Sequence, residues 1–87
     1  MKIVVINAIW CSACLVMKKV WSSLEKEYED VEIVNYDYDF DEEIVETYNV
    51  GTVLPVAIFY KNDKEYVRLS GEKSKEEMIK VIEEMSR

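Results

Sequence analysis

Along the chain the apolar positions change period several times, and each change marks an element. Residues 2 to 6, KIVVI, are β-branched with no polar alternation, as suits a strand covered on both faces in the middle of a sheet. From Ser12 onward Leu15, Val20, Trp21, Leu24 and Tyr28 recur at helical spacings between charged residues, which predicts an amphipathic helix of about four turns. VEIVNY at 31 to 36 reads as a second strand, and the order strand, helix, strand implies a crossover with the two strands parallel. Asp41 is placed to cap a short second helix running to about Tyr48.

Two further strands follow, VAIFY at 56 to 60 and EYVRL at 65 to 69. The KNDK between them carries the turn formers Asn62 and Asp63, so the pair is a hairpin and the sheet is mixed. Ser74 opens SKEE with Glu77 at the capping-box position, and Met78, Ile79, Ile82 and Met85 mark the apolar face of a last helix. The predicted fold is therefore α/β: β-α-β-α-β-β-α, a four-stranded mixed sheet with helices on both faces. No repeat, linker or low-complexity stretch divides it, and 87 residues make one core, so residues 1–87 read as a single domain.

Composition supports a globular domain. Nearly half the residues are apolar, a third are charged, and two Gly and one Pro leave little room for long irregular loops. A formal charge of -7 argues against nucleic acid or an anionic membrane as partner, because both are bound through Lys and Arg. MKIVVIN lacks the longer apolar core and cleavage site of a signal peptide, and the longest apolar stretch, VLPVAIFY, is far too short to span a bilayer. The expectation is a soluble protein of the cytoplasm.

Two cysteines are too few for a disulfide framework, but Cys11 and Cys14 lie three positions apart between a buried strand and a helix start. A thiolate, not a thiol, attacks a disulfide, and the first turn of a helix stabilises a thiolate through unpaired N–H groups and the helix dipole. Cys14 returns on that turn close to Cys11, so it can release a substrate held on Cys11 as a mixed disulfide. Other readings of the pair stay open. A structural zinc site needs about four ligands, and the chain has no His and no third Cys, though two copies could share an iron–sulfur cluster through four cysteines. Both thiols could also be inert core residues.

With the strand, Trp10, the cysteine pair and the helix in place, the chain resembles the thioredoxin superfamily, in a short form without the N-terminal strand and helix of full-length thioredoxins. WCSAC is similar to the family's active-site stretch, YNVGTVLPVAIFY to its tyrosine, loop, cis-proline and strand, and GEKSKEEM to its glycine and capped last helix. Asp39 falls where the family often has an acid after the second strand. The resemblance implies a thiol–disulfide oxidoreductase with Cys11 as nucleophile and Cys14 as resolving thiol, needing no cofactor beyond a reversible Cys11–Cys14 disulfide. It implies that Pro55 is cis, that the Leu54 backbone pairs with an extended substrate segment, that Trp10 is an exposed aromatic beside the nucleophile, and that Gly71 lets substrate backbone pass close. The partners so implied are protein disulfides and an upstream reductase, met by a monomer; the contrasting reading is a binding module whose cysteines turn nothing over.

Departures from the family pattern bear on the chemistry. The buried acid that the family often has six positions before the first cysteine is Val5, and the lysine paired with it is Asn35, which leaves Asn7 as a polar neighbour with no titratable proton. Ser12-Ala13 matches neither the Gly-Pro of thioredoxins nor the Pro-Tyr of glutaredoxins, and one extra residue lies between Tyr48 and Pro55. A glutaredoxin's glutathione site is the weaker fit, since Leu54 and LSGEKS stand where its threonine or valine and its Gly-Gly pair belong. Residues 29 to 46 hold nine Asp or Glu and no Lys or Arg. DYDFDEE within them invites calcium, but Glu42 stands where an EF-hand needs glycine, and a solvated acidic face around the second helix is the simpler reading.

Overall fold

A computed structural model describes residues 1–86. The elements run β1 (Lys2–Asn7), α1 (Ser12–Glu27), β2 (Glu32–Asp37), α2 (Glu42–Thr47), β3 (Val56–Lys61), β4 (Lys64–Ser70) and α3 (Lys75–Met85). One sheet takes the order β2-β1-β3-β4, with β1 parallel to β2 and antiparallel to β3, and β3 antiparallel to β4. The turn between β3 and β4 is a tight one. Asn62 and Asp63 both take positive φ, 53° and 64°, which these two residue types tolerate best after glycine.

The uninterrupted apolar run of β1 is explained by its central place, with all four residues Ile3 to Ile6 fully buried. Side chains alternate across the sheet, so Ile3 and Val5 join Met17, Trp21, Leu24, Met78, Ile82 and Met85 under α1 and α3, while Val4 and Ile6 pack toward α2 and both cysteines. Two cores, one on each face, are the physical content of helices on both sides of the sheet.

Two local expectations shift. In α1 the buried stripe is Cys14, Met17, Trp21 and Leu24, whereas Leu15 is 64% exposed. Positions 14, 17, 21 and 24 follow the i, i+3, i+7 spacing of one helix face, and Leu15 lies about 100° round from Cys14. Asp41 does precede α2, but its carboxylate makes no cap there and instead accepts the Asp37 N–H at 2.8 Å. At the other end of α2, Asn49 takes a left-handed φ of 52°, and the Arg68 guanidinium of β4 donates to the Tyr48 carbonyl at 2.7 Å. That contact ties to the sheet the loop in which the extra residue falls. Ser74 caps α3 as its spacing predicts, its hydroxyl accepting the Glu77 N–H at 3.2 Å.

The register brings several chain segments to one end of the sheet. Asn7 and Asp37 close the parallel pair, Val56 at the start of β3 lies opposite Ile6, and Ser70 at the end of β4 lies opposite Val56. The turn after β1, the turn after β2, the Leu54-Pro55 segment and Gly71 all meet there. In an α/β sheet this end, beyond the carboxyl ends of the parallel strands, is where sites form.

The α1 stripe has a direct consequence for stability. Met17→Ala removes a fully buried side chain and should cost about 2–5 kcal/mol. Leu15→Ala should stay within about 0.5 kcal/mol, because its side chain is largely in water. Urea unfolding of the two variants checks this, and equal losses would mean that α1 presents a different face.

Candidate active site

The site is built from the way α1 begins. After β1 the chain turns at Ala8, whose carbonyl accepts the Cys11 N–H at 3.2 Å, and Cys11 becomes the N-cap residue of α1 with extended φ and ψ of -93° and 109°. Ser, Thr, Asp or Asn usually fills this place and offers an oxygen to the first-turn N–H groups. Here the acceptor is sulfur: Cys11 Sγ takes the Cys14 N–H at 3.2 Å. The arrangement places a sulfur at the positive end of a 16-residue helix and fixes Cys14 one turn further along, against it.

The two thiols are both reduced and buried, 8% and 6% exposed, yet their surroundings differ. Cys14 sits among Val4, Ile6, Ala8 and Leu54. Burial pushes its thiol up from the ordinary 9.0 to about 12, helped by its hydrogen bond to the Cys11 sulfur and opposed by the Ala8 backbone. The Cys14 thiol therefore holds its proton through the ordinary pH range.

Around this pair lie the other residues that the sequence singled out. Trp10 is 61% exposed, and its indole N–H donates to Asp39 Oδ2 at 2.8 Å while its ring meets Tyr38 edge-on, with centroids 6.1 Å apart. Leu54 packs in the same cluster as both cysteines, Pro55 is buried, and the peptide between them is cis. Gly71, with φ of 86°, donates its N–H to the Pro55 carbonyl at 2.9 Å, so a backbone conformation that only glycine adopts freely is what closes the loop against β4. A side chain built on Gly71 would touch Val53 at 3.6 Å, which places the exposed Val53 beside the same turn.

The acidic run after β2 has a structural use. Asp37 Oδ1 accepts the N–H groups of Asp39 and Phe40, and Asp41 Oδ2 accepts that of Asp37, so these carboxylates organise their own turn. Among the described residues no group of three or more His, Cys, Asp or Glu side chains could hold a metal ion, and no helix is long and apolar enough to cross a membrane. Val5 is fully buried under α1 and α3, and Asn35 beside it in the register accepts the Asn7 side-chain amide at 3.0 Å.

Sequence reasoning did not see the Trp10–Asp39 bond, because 29 residues separate the partners and no local signal links them. It also passed over Ile9 and Val53, apolar residues flanking the site that are 73% and 58% exposed. From the sequence, periodicity cannot distinguish such exposed apolar side chains from core.

The family model described as thioredoxin matches residues 1–84. The chain belongs to the thioredoxin family. It is 35% identical over 75 residues to the thioredoxin of Chlamydia trachomatis, covering 86% of this chain and 72% of that one. The thioredoxin of Chlamydia caviae is 34% identical over 79 residues, covering 91% and 76%. Among solved structures, the X-ray structure of Fasciola hepatica thioredoxin superposes with a TM-score of 0.88 at 31% identity, over 97% of this chain and 79% of that one. Thioredoxins are thiol–disulfide oxidoreductases, and the chain is an enzyme of that class with its Cys-x-x-Cys pair in place. The family requires no cofactor beyond the redox-active disulfide.

The raised Cys14 thiol makes stability depend on pH in one direction. Well below pH 9 it is protonated in folded and unfolded chains alike, and its contribution is complete; as pH rises through 9 the unfolded chain ionises first, so stability falls until the folded thiol ionises near 12. Urea midpoints of the reduced protein should therefore drop between pH 8 and pH 10.5 more steeply than those of Cys14→Ser. Parallel slopes would contradict the burial of the thiol.

Proposed function

We propose that the chain reduces protein disulfides by dithiol exchange, with Cys11 as nucleophile and Cys14 as resolving thiol. The observation that carries this reading is the Cys11 sulfur capping α1 and accepting the Cys14 N–H. As a thiolate, Cys11 attacks one sulfur of a substrate disulfide; the S–S bond breaks, and the second sulfur leaves and takes up a proton. Cys14 then loses its proton and attacks Cys11 Sγ, forming the Cys11–Cys14 bond and expelling the first substrate sulfur. Two electrons have passed to the substrate, and an upstream reductase returns the pair to dithiol.

Substrate is held beside the pair. Ile9, Trp10 and Val53 offer exposed apolar contact, and the Asp39 hydrogen bond holds the Trp10 ring in one orientation. The backbone at Leu54 pairs with an extended substrate segment in the manner of an added strand, and Gly71 leaves space beside it. The protein works as a monomeric single domain in the cytoplasm, with protein disulfides and the reductase as its partners and neither nucleic acid nor membrane among them. An acidic surface around α2 favours partners with basic docking faces, as opposite charge speeds encounter.

Reduction of insulin disulfides by a dithiol-recharged enzyme tests the assignment. Cys11→Ser should fall to background, and Cys14→Ser should accumulate a mixed disulfide on Cys11 visible by mass spectrometry; activity surviving Cys11→Ser would remove Cys11 as nucleophile. The direction of exchange is read from the Cys11/Cys14 reduction potential against glutathione buffers. A value near about -270 mV belongs to a reductase, and one near about -120 mV would make the protein a disulfide donor instead.

A further inference from the structure

Two buried side-chain polar atoms among the described residues have no hydrogen-bond partner in the protein, Asn7 Oδ1 and Trp21 Nε1. Both residues line one cleft of about 490 Å³, and Cys14 lines it too. The coincidence has a cause in the register. On the sheet face toward α1 the pairs run Ile3 with Ile33, Val5 with Asn35, and Asn7 with Asp37, so the surface turns from apolar to polar on approaching Cys14. Across from it, Cys14 and Trp21 are two turns apart on the buried side of α1.

Each orphan atom is held in place. Asn7 donates its side-chain amide to Asn35 Oδ1, which leaves Oδ1 as the atom turned away from that bond, and Trp21, 4% exposed, has its ring fixed in the core. One donor and one acceptor in a polar, roomy cleft meet the conditions for ordered water, which accepts from Nε1 and donates to Oδ1 with bonding capacity to spare. The cleft also supplies what the resolving step lacks. Cys14 holds its proton firmly, and the fully buried Val5 stands where the family pattern has an acid. The charged groups facing the cleft are Lys18 and Glu25 from α1 and Asp37 from β2; β1 contributes none. Asp37 Oδ1 is already engaged by two backbone N–H groups of its own turn.

We propose that the cleft holds ordered water bridging Trp21 Nε1 and Asn7 Oδ1, and that this water takes the Cys14 proton as the sulfur attacks the mixed disulfide. The S–H bond breaks and the proton passes through the water to solvent; the sulfur's electron pair forms the bond to Cys11 Sγ, and the Cys11–substrate bond breaks with its electrons on the departing substrate sulfur. Asn7 and Trp21 are positioning residues, acting on Cys14 only through the water. The inference rests on the dithiol reading above.

Stopped-flow reaction with excess 5,5′-dithiobis(2-nitrobenzoate) tests it. Attack by Cys11 releases a first thionitrobenzoate at a rate proportional to reagent, and resolution by Cys14 releases a second at a rate independent of it. Trp21→Phe removes the N–H while keeping the ring, and Asn7→Leu removes the acceptor at similar volume. Each should slow the second phase about tenfold at pH 7, leave the first within about twofold, and converge on wild type by pH 10, where hydroxide takes the proton directly. A second phase unchanged in both variants, slowed equally with the first, or slowed by one factor at every pH overturns the proposal. So does a large loss in Asp37→Asn or Glu25→Gln accompanied by loss of a carboxylate inflection in the pH profile, since a fixed acid would then be the acceptor. Absence of any reagent-independent phase in the wild type would instead count against the dithiol reading itself.

Discussion

The hydrogen bond from the Cys14 N–H to the Cys11 sulfur is the contact on which the rest of the site depends. It is a helix cap made with sulfur, and it determines two things together: where α1 starts and how close the two thiols stand. An oxygen cap at this position would serve the helix equally well and do no redox chemistry. The cap forms because β1 delivers the chain at the end of the sheet and the Ala8 carbonyl takes the Cys11 N–H, turning the backbone into the helix. Cys14, as third residue of that helix, has no choice of position. Its side chain falls into the apolar cluster of Val4, Ile6 and Leu54, and burial there raises its thiol.

The sheet carries this geometry because its central strands are wholly apolar and its ends are not. Val5 to Asn35 and Asn7 to Asp37 are the steps at which the α1 face of β1 and β2 gives way to amides and a carboxylate. The same end gathers the cis Leu54–Pro55 peptide, the Gly71 turn bonded to the Pro55 carbonyl, and the Asp37 to Asp41 turn that presents Asp39 to Trp10. Three chain segments distant in sequence thus meet beside one pair of sulfurs, tied there by the Gly71 N–H on the Pro55 carbonyl and the Trp10 indole on Asp39.

How much of this could be read from the sequence follows the range of the interaction. Elements whose signal is local were legible: the apolar run of β1, the Asn62-Asp63 turn, and the Ser74 cap all stand where their spacing placed them. Leu15 was misassigned because it is a leucine close to a helical repeat, while the true stripe runs through Met17 and includes Cys14, a residue that chemistry rather than hydropathy had drawn attention to. Asp41 was read as a helix cap because acids favour that position, yet the backbone N–H of Asp37 competes for the same carboxylate and holds it. The Trp10–Asp39 bond, the Arg68 brace on Tyr48 and the cleft behind Cys14 were out of reach, since each joins elements that only the register brings together.

The replacement of the family's buried acid and lysine by Val5 and Asn35 bears on what that charged pair is for. Here the Cys11 cap comes from backbone N–H geometry and the high Cys14 thiol from packing, neither of which needs a charge in the sheet. What the missing acid does remove is a place for the Cys14 proton to go. The junction of strand and helix thus brings the two sulfurs together without a charge in the sheet, and the polar residues that stand near them are amides, an indole and a carboxylate of the neighbouring strand.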